Sequence, residues 1–476
     1  MKARQVLFFL LGVFALLGIG WMAFPADGVN VGGMTLRFAS YEKMVREASE
    51  EKVDVDSVLN AVSSRFAMQQ DTLSFYRSFF RENPDRIYLP GDDYTFFDPV
   101  FRSFERARHS GKTVRVAHYG DSQIELDRIS SDLREALQTR FGGSGTGMFP
   151  ALTTIPSASI SRSSSGGFAF YTMYGDSTTV RAGHNRYGVL SQVVSLSGSG
   201  TVSLRAHRQK STKNHVRNFS SVSVLYGRAS QGFTVQAVSD TLKPRASVLT
   251  KDGVTWATWT FSRPVQRATL RFRGSAEIYG VSTDGGAGVT VDNIPMRGST
   301  GTILTRISKD LMRSSYQLDD TRLIILQFGG NFVPAAHSSK AISGYMDQVR
   351  RQIAYFRDVA PQAKILFIGP SDMGKSVNGR IVTWPRLPEV VDSLKATALQ
   401  SGAAYWDLYR MMGGQNSMVQ WVKHSPAYAG PDYIHFTPAG ARVVGETLSR
   451  SLLTCYDFYL LRKTLPEDRV RQYMKP

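Results

Sequence analysis

The chain has 476 residues, room for more than one domain, and its 42% hydrophobic and 20% charged make-up is that of a globular protein. A single cysteine, Cys455, excludes a disulfide framework and any cysteine-based metal centre. The formal net charge of +18 calls for either an anionic partner or a heavily solvated basic surface.

The N-terminus opens with Lys2 and Arg4, then runs from Val6 to Phe24 without a charge, just long enough to cross a bilayer. Cleavage after Ala23 or after Ala26 would put Trp21 or Phe24 where a small residue belongs. Residues 1–26 are therefore expected to be an uncleaved signal anchor, a transmembrane helix held in the inner membrane through residues 5–24. A cleaved signal is the alternative, and both readings carry the body out of the cytoplasm. Nucleic acid is then excluded as a partner. The anionic partners left are lipid headgroups and acidic envelope polymers.

Residues 27–94 read as a stalk and helical linker, broken at Asn83-Pro84 and Pro90-Gly91. Asp98-Pro99 starts a helix with Phe101, Phe104 and Ala107 on its inner stripe, closed by Gly111. Val114 to Tyr119 reads as a short buried strand, stopped by Gly120-Asp121. Ile129, Leu133, Leu137 and Phe141 then recur every fourth residue, as on one face of a helix. Ser122 thus stands at a strand-to-helix turn, a place where backbone N–H groups favour anions.

From about Ser157 to Gly280 the texture turns to short alternating runs rich in Ser, Thr, Val and Gly, such as Ser221-Val222-Ser223-Val224-Leu225-Tyr226. That predicts an inserted all-β sandwich over 151–284. Between Gly175 and Gly280 there are 15 Lys and Arg against 4 Asp and Glu, so much of the charge excess lies here. Trp256, Trp259 and Tyr187 are candidate sugar-stacking residues, with core packing as the alternative role. Beyond the insert, strands at Leu323–Leu326, Lys364–Ile368 and Ala403–Trp406 alternate with helices at Ile342–Phe356, Leu387–Gln400 and Gly440–Leu453. This predicts an α/β domain with a parallel sheet flanked by helices, split between 95–150 and 285–476.

A serine nucleophile needs a base, a carboxylate to orient the base, and donors for the oxyanion. Of the eight histidines, His435 stands in a loop just before the last helix, at the sheet end where a strand-end serine would lie, and Asp432 is three residues before it. A second Gly-Asp-Ser, at 175–177, has no helical pattern after it and reads as a decoy. His118 reads as a packed or surface strand residue.

Together these motifs resemble the SGNH/GDSL hydrolases. Gly120-Asp121-Ser122 is similar to the first block of that family, the stretch Val291 to Gly298 to the second, Phe328-Gly329-Gly330-Asn331 to the third, and Asp432 with His435 to the last. Phe332 departs from the acidic residue that often follows the asparagine. The resemblance implies a flavodoxin-like sheet and a triad of Ser122, His435 and Asp432. It implies an oxyanion hole built from Ser122, Gly298 and Asn331, with Gly301 as the second choice for the glycine. No metal or organic cofactor is implied. The insertion point is similar to that of peptidoglycan O-acetylesterases with a carbohydrate-binding-like sandwich. The expected activity is a serine esterase that removes O-acetyl groups from peptidoglycan or another envelope polysaccharide, working in the periplasm, with an anionic envelope polymer as a further candidate partner. An O-acetyltransferase with the same triad, or a lipase or thioesterase, are the alternatives.

Overall fold

The computed structural model describes residues 12–13, 29–31, 34–36, 72–152, 155–175, 180–209, 211–239, 242–248 and 253–474. The expected membrane segment over residues 5–24 lies outside the described residues apart from Gly12 and Val13, as does most of the second Gly-Asp-Ser. Among the described residues no helix is long and apolar enough to cross a membrane. The chain forms two compact units, residues 1–53 and 54–476. In the first, β1 (Val29–Val31) and β2 (Met34–Leu36) pair as a small antiparallel hairpin.

The described residues of the second unit begin with α1 (Thr72–Glu82) and β3 (Ile87–Tyr88). The sequence places them in the stalk and helical linker, with the apolar stretch Phe75 to Phe80 able to dock on the body, and they pack on it. Phe79 and Ile87 are buried, Tyr76 packs on Phe458, and the Asp85 carbonyl accepts a bond from Trp406 Nε1 at 2.9 Å. Aromatic side chains spaced along one helical face had to be covered, and the C-terminal helix covers them.

Next come α2 (Asp98–Ser110), β4 (Thr113–Gly120) and α3 (Ser130–Phe141). After the insert, β13 (Gly288–Pro295), α4 (Lys309–Leu318), β14 (Thr321–Gln327), α5 (Ser339–Val359) and β15 (Lys364–Ile368) resume the domain. A hairpin, β16 (Gly374–Val377) and β17 (Arg380–Thr383), precedes α6 (Leu387–Gln400) and β18 (Ala404–Trp406). Short helices α7 (Leu408–Met411) and α8 (Ser417–Lys423) lead to α9 (Pro438–Arg462) and α10 (Glu467–Met474).

The sheet order is β13-β4-β14-β15-β18-β3, parallel except for the edge strand β3. In order of parallel strands along the chain this is 2-1-3-4-5, the flavodoxin-like winding, with its switch point between β4 and β14. Alternation along β4 sends neighbouring side chains to opposite layers. His118 meets Ser130 of α3 at 2.9 Å, while Tyr119 meets Tyr316 of α4 at 2.6 Å. Ring contacts Phe101–Tyr456 and Phe104–Phe141 knit α2, α3 and α9 on the first side. Phe356 of α5 packs against Tyr119 on the second.

The insert contains β5 (Gly147–Phe149), β6 (Ile160–Thr172), β7 (Gln192–Ala206), β8 (Phe219–Gly227), β9 (Thr234–Ser239), β10 (Leu242–Val248), β11 (Thr255–Val265) and β12 (Arg267–Asp284). It is one hydrogen-bonded, antiparallel, eight-stranded sheet rather than two separate sheets. The 18 residues of β12 are long enough to serve both halves. Its first part lies between β7 and β9, its last part between β5 and β8, and the register to β8 shifts between Ile278 and Gly280. Both halves face one apolar core that includes Val202, Leu204, Val222, Val224, Trp259 and Phe272.

The insert is fastened to the α/β layer by buried polar bonds. Arg115 of β4 reaches Asp292 at 2.8 Å, Asp284 at 2.7 Å and Ser282 at 3.0 Å. Trp256 donates to Asp319 at 2.6 Å and lies under the Arg115 guanidinium. Burial pushes the Asp319 carboxyl up to about 7, against the pull of Arg115. Tyr119 Oη donates to the Val189 carbonyl at 2.7 Å, and Ser308 N–H to the Asn185 carbonyl at 3.0 Å.

Candidate active site

The carboxyl ends of β4 and β14 open at the switch point, and the chain turns there on residues that cannot continue a strand. The expected helix directly after Ser122 is not present. Ser122–Ile124 form one short 3-10 turn, capped by Asp121 Oδ1, which accepts from Gln123 N–H at 3.0 Å. Leu126, Asp127 and Ile129 then take positive φ, and α3 starts only at Ser130. No long helix dipole therefore points at the serine, and its oxygen depends on individual donors.

The histidine loop precedes α9, which begins at Pro438 with Thr437 as its cap. Ser122 Oγ lies 2.9 Å from His435 Nε2, and His435 Nδ1 lies 2.7 Å from Asp432 Oδ2. The other carboxylate oxygen of Asp432 accepts from the N–H groups of Ile434 and His435, both at 3.0 Å. Partial burial pushes the Asp432 carboxyl up, but the bonds from the His435 imidazole and these two N–H groups outweigh it and hold the carboxyl below its usual range. With Nδ1 donating to a fixed carboxylate, Nε2 is left to accept the serine proton.

The cleft at Ser122 holds about 180 Å³ and is lined by Asn331, Gln327, Met373, Ile434 and His435 among others. Asn331 follows β14 in the turn Gly330–Ala335. Its Nδ2 donates to Asp121 Oδ2 at 3.1 Å and to the Ser299 carbonyl at 3.2 Å, so both protons have partners inside the protein. Burial pushes the Asp121 carboxyl up to about 6, opposed by the Gln123 and Asn331 donors. By contrast, no backbone bond from the Ser122 or Gly298 N–H is found among the described residues. Gly298 (φ +71°) sits in the turn after β13, where an added Cβ would meet nothing within 4 Å. Gly301 donates its N–H to Ser299 Oγ at 3.1 Å, and an added Cβ would strike Phe328, so its role is packing. That removes it as the alternative donor. Gly298 itself lines a neighbouring groove rather than the walls of the small cleft.

None of the three aromatic residues expected to meet sugar lines the small cleft, and Tyr187 lines the neighbouring groove. Trp259 lies in the core of the insert, because its strand alternates inward at that position. Trp256 is held by Asp319, and Tyr187 is buried with its hydroxyl accepting from Ala182 N–H. His118 is fully buried between Ser130 and Gln327, and burial lowers its pKa to about 4, which keeps it neutral.

Several supporting residues carry no sequence signal beyond being polar and near Ser122. Gln123 ties the nucleophile turn to the histidine loop, donating to the Ile434 carbonyl at 2.7 Å and accepting from Phe436 N–H at 3.2 Å. Arg128 does the same, with bonds to the Ser122 carbonyl at 2.8 Å and the Phe436 carbonyl at 2.9 Å. Gln327 Oε1 accepts from His118 Nε2 at 3.1 Å while its buried Nε2 has no partner among the described residues. The hairpin β16–β17 also stands beside this loop, Gly374 N–H bonding the Tyr433 carbonyl at 2.8 Å. Asn378-Gly379, both at positive φ, is the turn signal that could have found it.

Ser122, His435 and Asp432 in line at the switch point of a 2-1-3-4-5 parallel sheet make up the candidate site, and the α/β fold that carries them is consistent with that of the SGNH hydrolases. Among solved structures, a peptidoglycan O-acetylesterase matches with a TM-score of 0.61 and 20% identity, covering 77% of this chain and 96% of that one. A family two carbohydrate esterase from Cellvibrio japonicus (TM-score 0.25, 10% identity, 63% of this chain and 99% of that one) and an acetylxylan esterase from Geobacillus stearothermophilus (0.27, 15%, 35% and 73%) match far more loosely. No protein-family model and no curated protein matches the chain.

Proposed function

We propose that the protein is a serine esterase that removes O-acetyl groups from peptidoglycan or a related envelope polysaccharide. The observation that carries this is the unbroken chain Ser122–His435–Asp432 beside a cleft with room for an acyl group and little more. The match to a peptidoglycan O-acetylesterase over most of both chains supports the substrate class. So does the basic insert, which suits an anionic envelope polymer. The charge-free run from Val6 to Phe24 supports anchoring in the inner membrane with the catalytic body in the periplasm.

Ser122 Oγ attacks the acetyl carbonyl carbon as its proton passes to His435 Nε2. Asp432 holds the imidazole and stabilises its cation. The negative oxygen is received by the N–H groups of Ser122 and Gly298, joined by Asn331 as it loosens its bond to Ser299 or Asp121. The intermediate collapses when His435 returns the proton to the departing sugar oxygen, leaving acetyl-Ser122. Water, deprotonated by His435, attacks the acyl carbon, and acetate leaves as Ser122 regains its proton.

The test is acetate release from O-acetylated peptidoglycan and from p-nitrophenyl acetate by the full chain and by Ser122→Ala. Release from both substrates, abolished in Ser122→Ala, is expected. Release from neither overturns the esterase reading. Acetate that ends up on an added sugar rather than in solution would identify a transferase instead.

A further inference from the structure

A second, larger groove of about 1170 Å³ runs along the other side of the turn that holds Gly298. One wall is that turn and the segment after it. The other is the edge of the insert. The same turn touches both cavities. Asn331, in the small cleft, bonds the Ser299 carbonyl, while Gly298, Ser299 and Thr300 line the groove. Tyr345 Oη fixes the ridge by donating to the Thr300 carbonyl at 2.8 Å.

The lining has a consistent chemistry. Half-buried Phe170, Met173 and Ile303 supply apolar surface, the kind on which the C–H faces of sugar rings rest. Arg306 and Arg181 supply positive charge, Arg297 being paired with Glu125, and no Asp or Glu is among the described lining residues. Arg181 is braced by carbonyls, those of Thr172 and Tyr174 both at 2.6 Å, which leave its charge uncancelled. The described acids just outside are already paired. Glu277 is shared by Arg186, His184 and Arg228, and Glu125 is held bidentately by Arg297 at 2.6 Å. Arg306 is exposed and has no ion pair among the described residues. At this volume the groove takes several sugar units, against the single acyl group of the small cleft.

We infer that the groove binds a carboxylate-bearing stretch of glycan strand, laid across the Gly298–Thr300 ridge so that a neighbouring ester reaches Ser122. The inference rests on the esterase reading for the position of that ester. Rings lie on Phe170, Met173 and Ile303. A carboxylate on the strand meets Arg306, with Arg181 along the same rim. Because the ridge that guides the strand also carries the oxyanion glycine, strand binding and alignment of the acetyl group are one event.

The experiment measures retention of the full chain, carrying Ser122→Ala so that nothing is turned over, on peptidoglycan sacculi. Native sacculi are compared with sacculi whose carboxylates have been converted to neutral amides. Retention is expected to fall about fivefold on the amidated material, the scale of one or two exposed charge-assisted contacts. Arg306→Glu should lose the same factor on native sacculi and little more on amidated ones, while Arg306→Lys keeps most of the retention. Melting curves check that each variant is folded. Equal retention on native and amidated sacculi, or full retention by Arg306→Glu, overturns the inference. If the unmodified protein releases no acetate yet carboxylate-dependent retention persists, the esterase reading falls and the groove stands as a polymer site. Acetate release without carboxylate dependence gives the reverse.

Discussion

Replacing Asn331 by alanine tests two consequences of one side chain. As an oxyanion donor its loss costs about 10²–10³ in turnover, equivalent to about 2.7–4 kcal/mol of transition-state stabilisation. Both of its protons, however, are already engaged, by Asp121 at 3.1 Å and by Ser299 at 3.2 Å. Helping the oxyanion means weakening one of those bonds, and a net hydrogen bond is worth about 0.5–1.5 kcal/mol. The expected loss is therefore near the lower end, about 10²-fold. The same substitution leaves a buried carboxylate oxygen and a carbonyl without their donor, so stability should fall by about 1–3 kcal/mol. The assay is turnover of p-nitrophenyl acetate, with Ser122→Ala as the floor, alongside denaturant unfolding. Turnover within about threefold of the unmodified protein, in a variant destabilised as expected, would refute the donor role and leave Asn331 as a brace for Asp121 and the Gly298 turn.

Asp432→Asn should lower turnover by about 10³–10⁴ by releasing the tautomer of His435, with unfolding little changed, and a loss of about tenfold or less would show that the exposed loop orients the ring without it. Gly298→Ala and Gly301→Ala should separate cleanly. Both place a side chain at positive φ, but only the second drives a Cβ into Phe328, so it should be the less stable by about 1–3 kcal/mol in a melt, while Gly298→Ala keeps its donor N–H and most of its activity. Equal melting of the two would contradict the packing role of Gly301. For Asp319 the folded pKa of about 7 lies above the ordinary value of 3.8. The folded state then holds a proton that the unfolded chain gives up, so this group makes stability fall as pH rises between those values. Asp319→Asn should flatten that fall, gaining on the unmodified protein at about pH 8 relative to about pH 5. Parallel melting curves across the range would show that Asp319 is ionised in the fold.

The residues that meet at the cleft are legible in the sequence where punctuation marks an element boundary. Gly120-Asp121 stops a buried strand, Pro438 starts a helix, and the spacing of Asp432 and His435 lets one loop carry both. The alternation of strands and helices likewise gives the parallel sheet, though the antiparallel edge strand β3 has only two residues and no pattern of its own. The stretch after Ser122 is not legible. Helical periodicity from Ile129 onward hides a loop whose Leu126, Asp127 and Ile129 adopt positive φ, held there by Arg128 and by tertiary bonds to the histidine loop. The same holds for Trp259, whose type suits a sugar platform or a core equally, and which strand alternation within the insert turns inward. One strand serving both halves of the insert is also invisible locally, because it depends on which partners meet β12 along its length.

The Arg115 network bears on whether the insert is a detachable module. Its guanidinium is rooted in the nucleophile strand, yet two of its acceptors, Ser282 and Asp284, come from the last stretch of chain belonging to the insert. Excising the insert would take away the Asp284 carboxylate and the Ser282 hydroxyl and uncover the guanidinium, leaving Asp292 as its counter-charge. The strand that leads to Ser122 thus shares a polar cluster with the end of the insert, and a shortened chain changes the footing of that strand together with whatever the insert does for substrate.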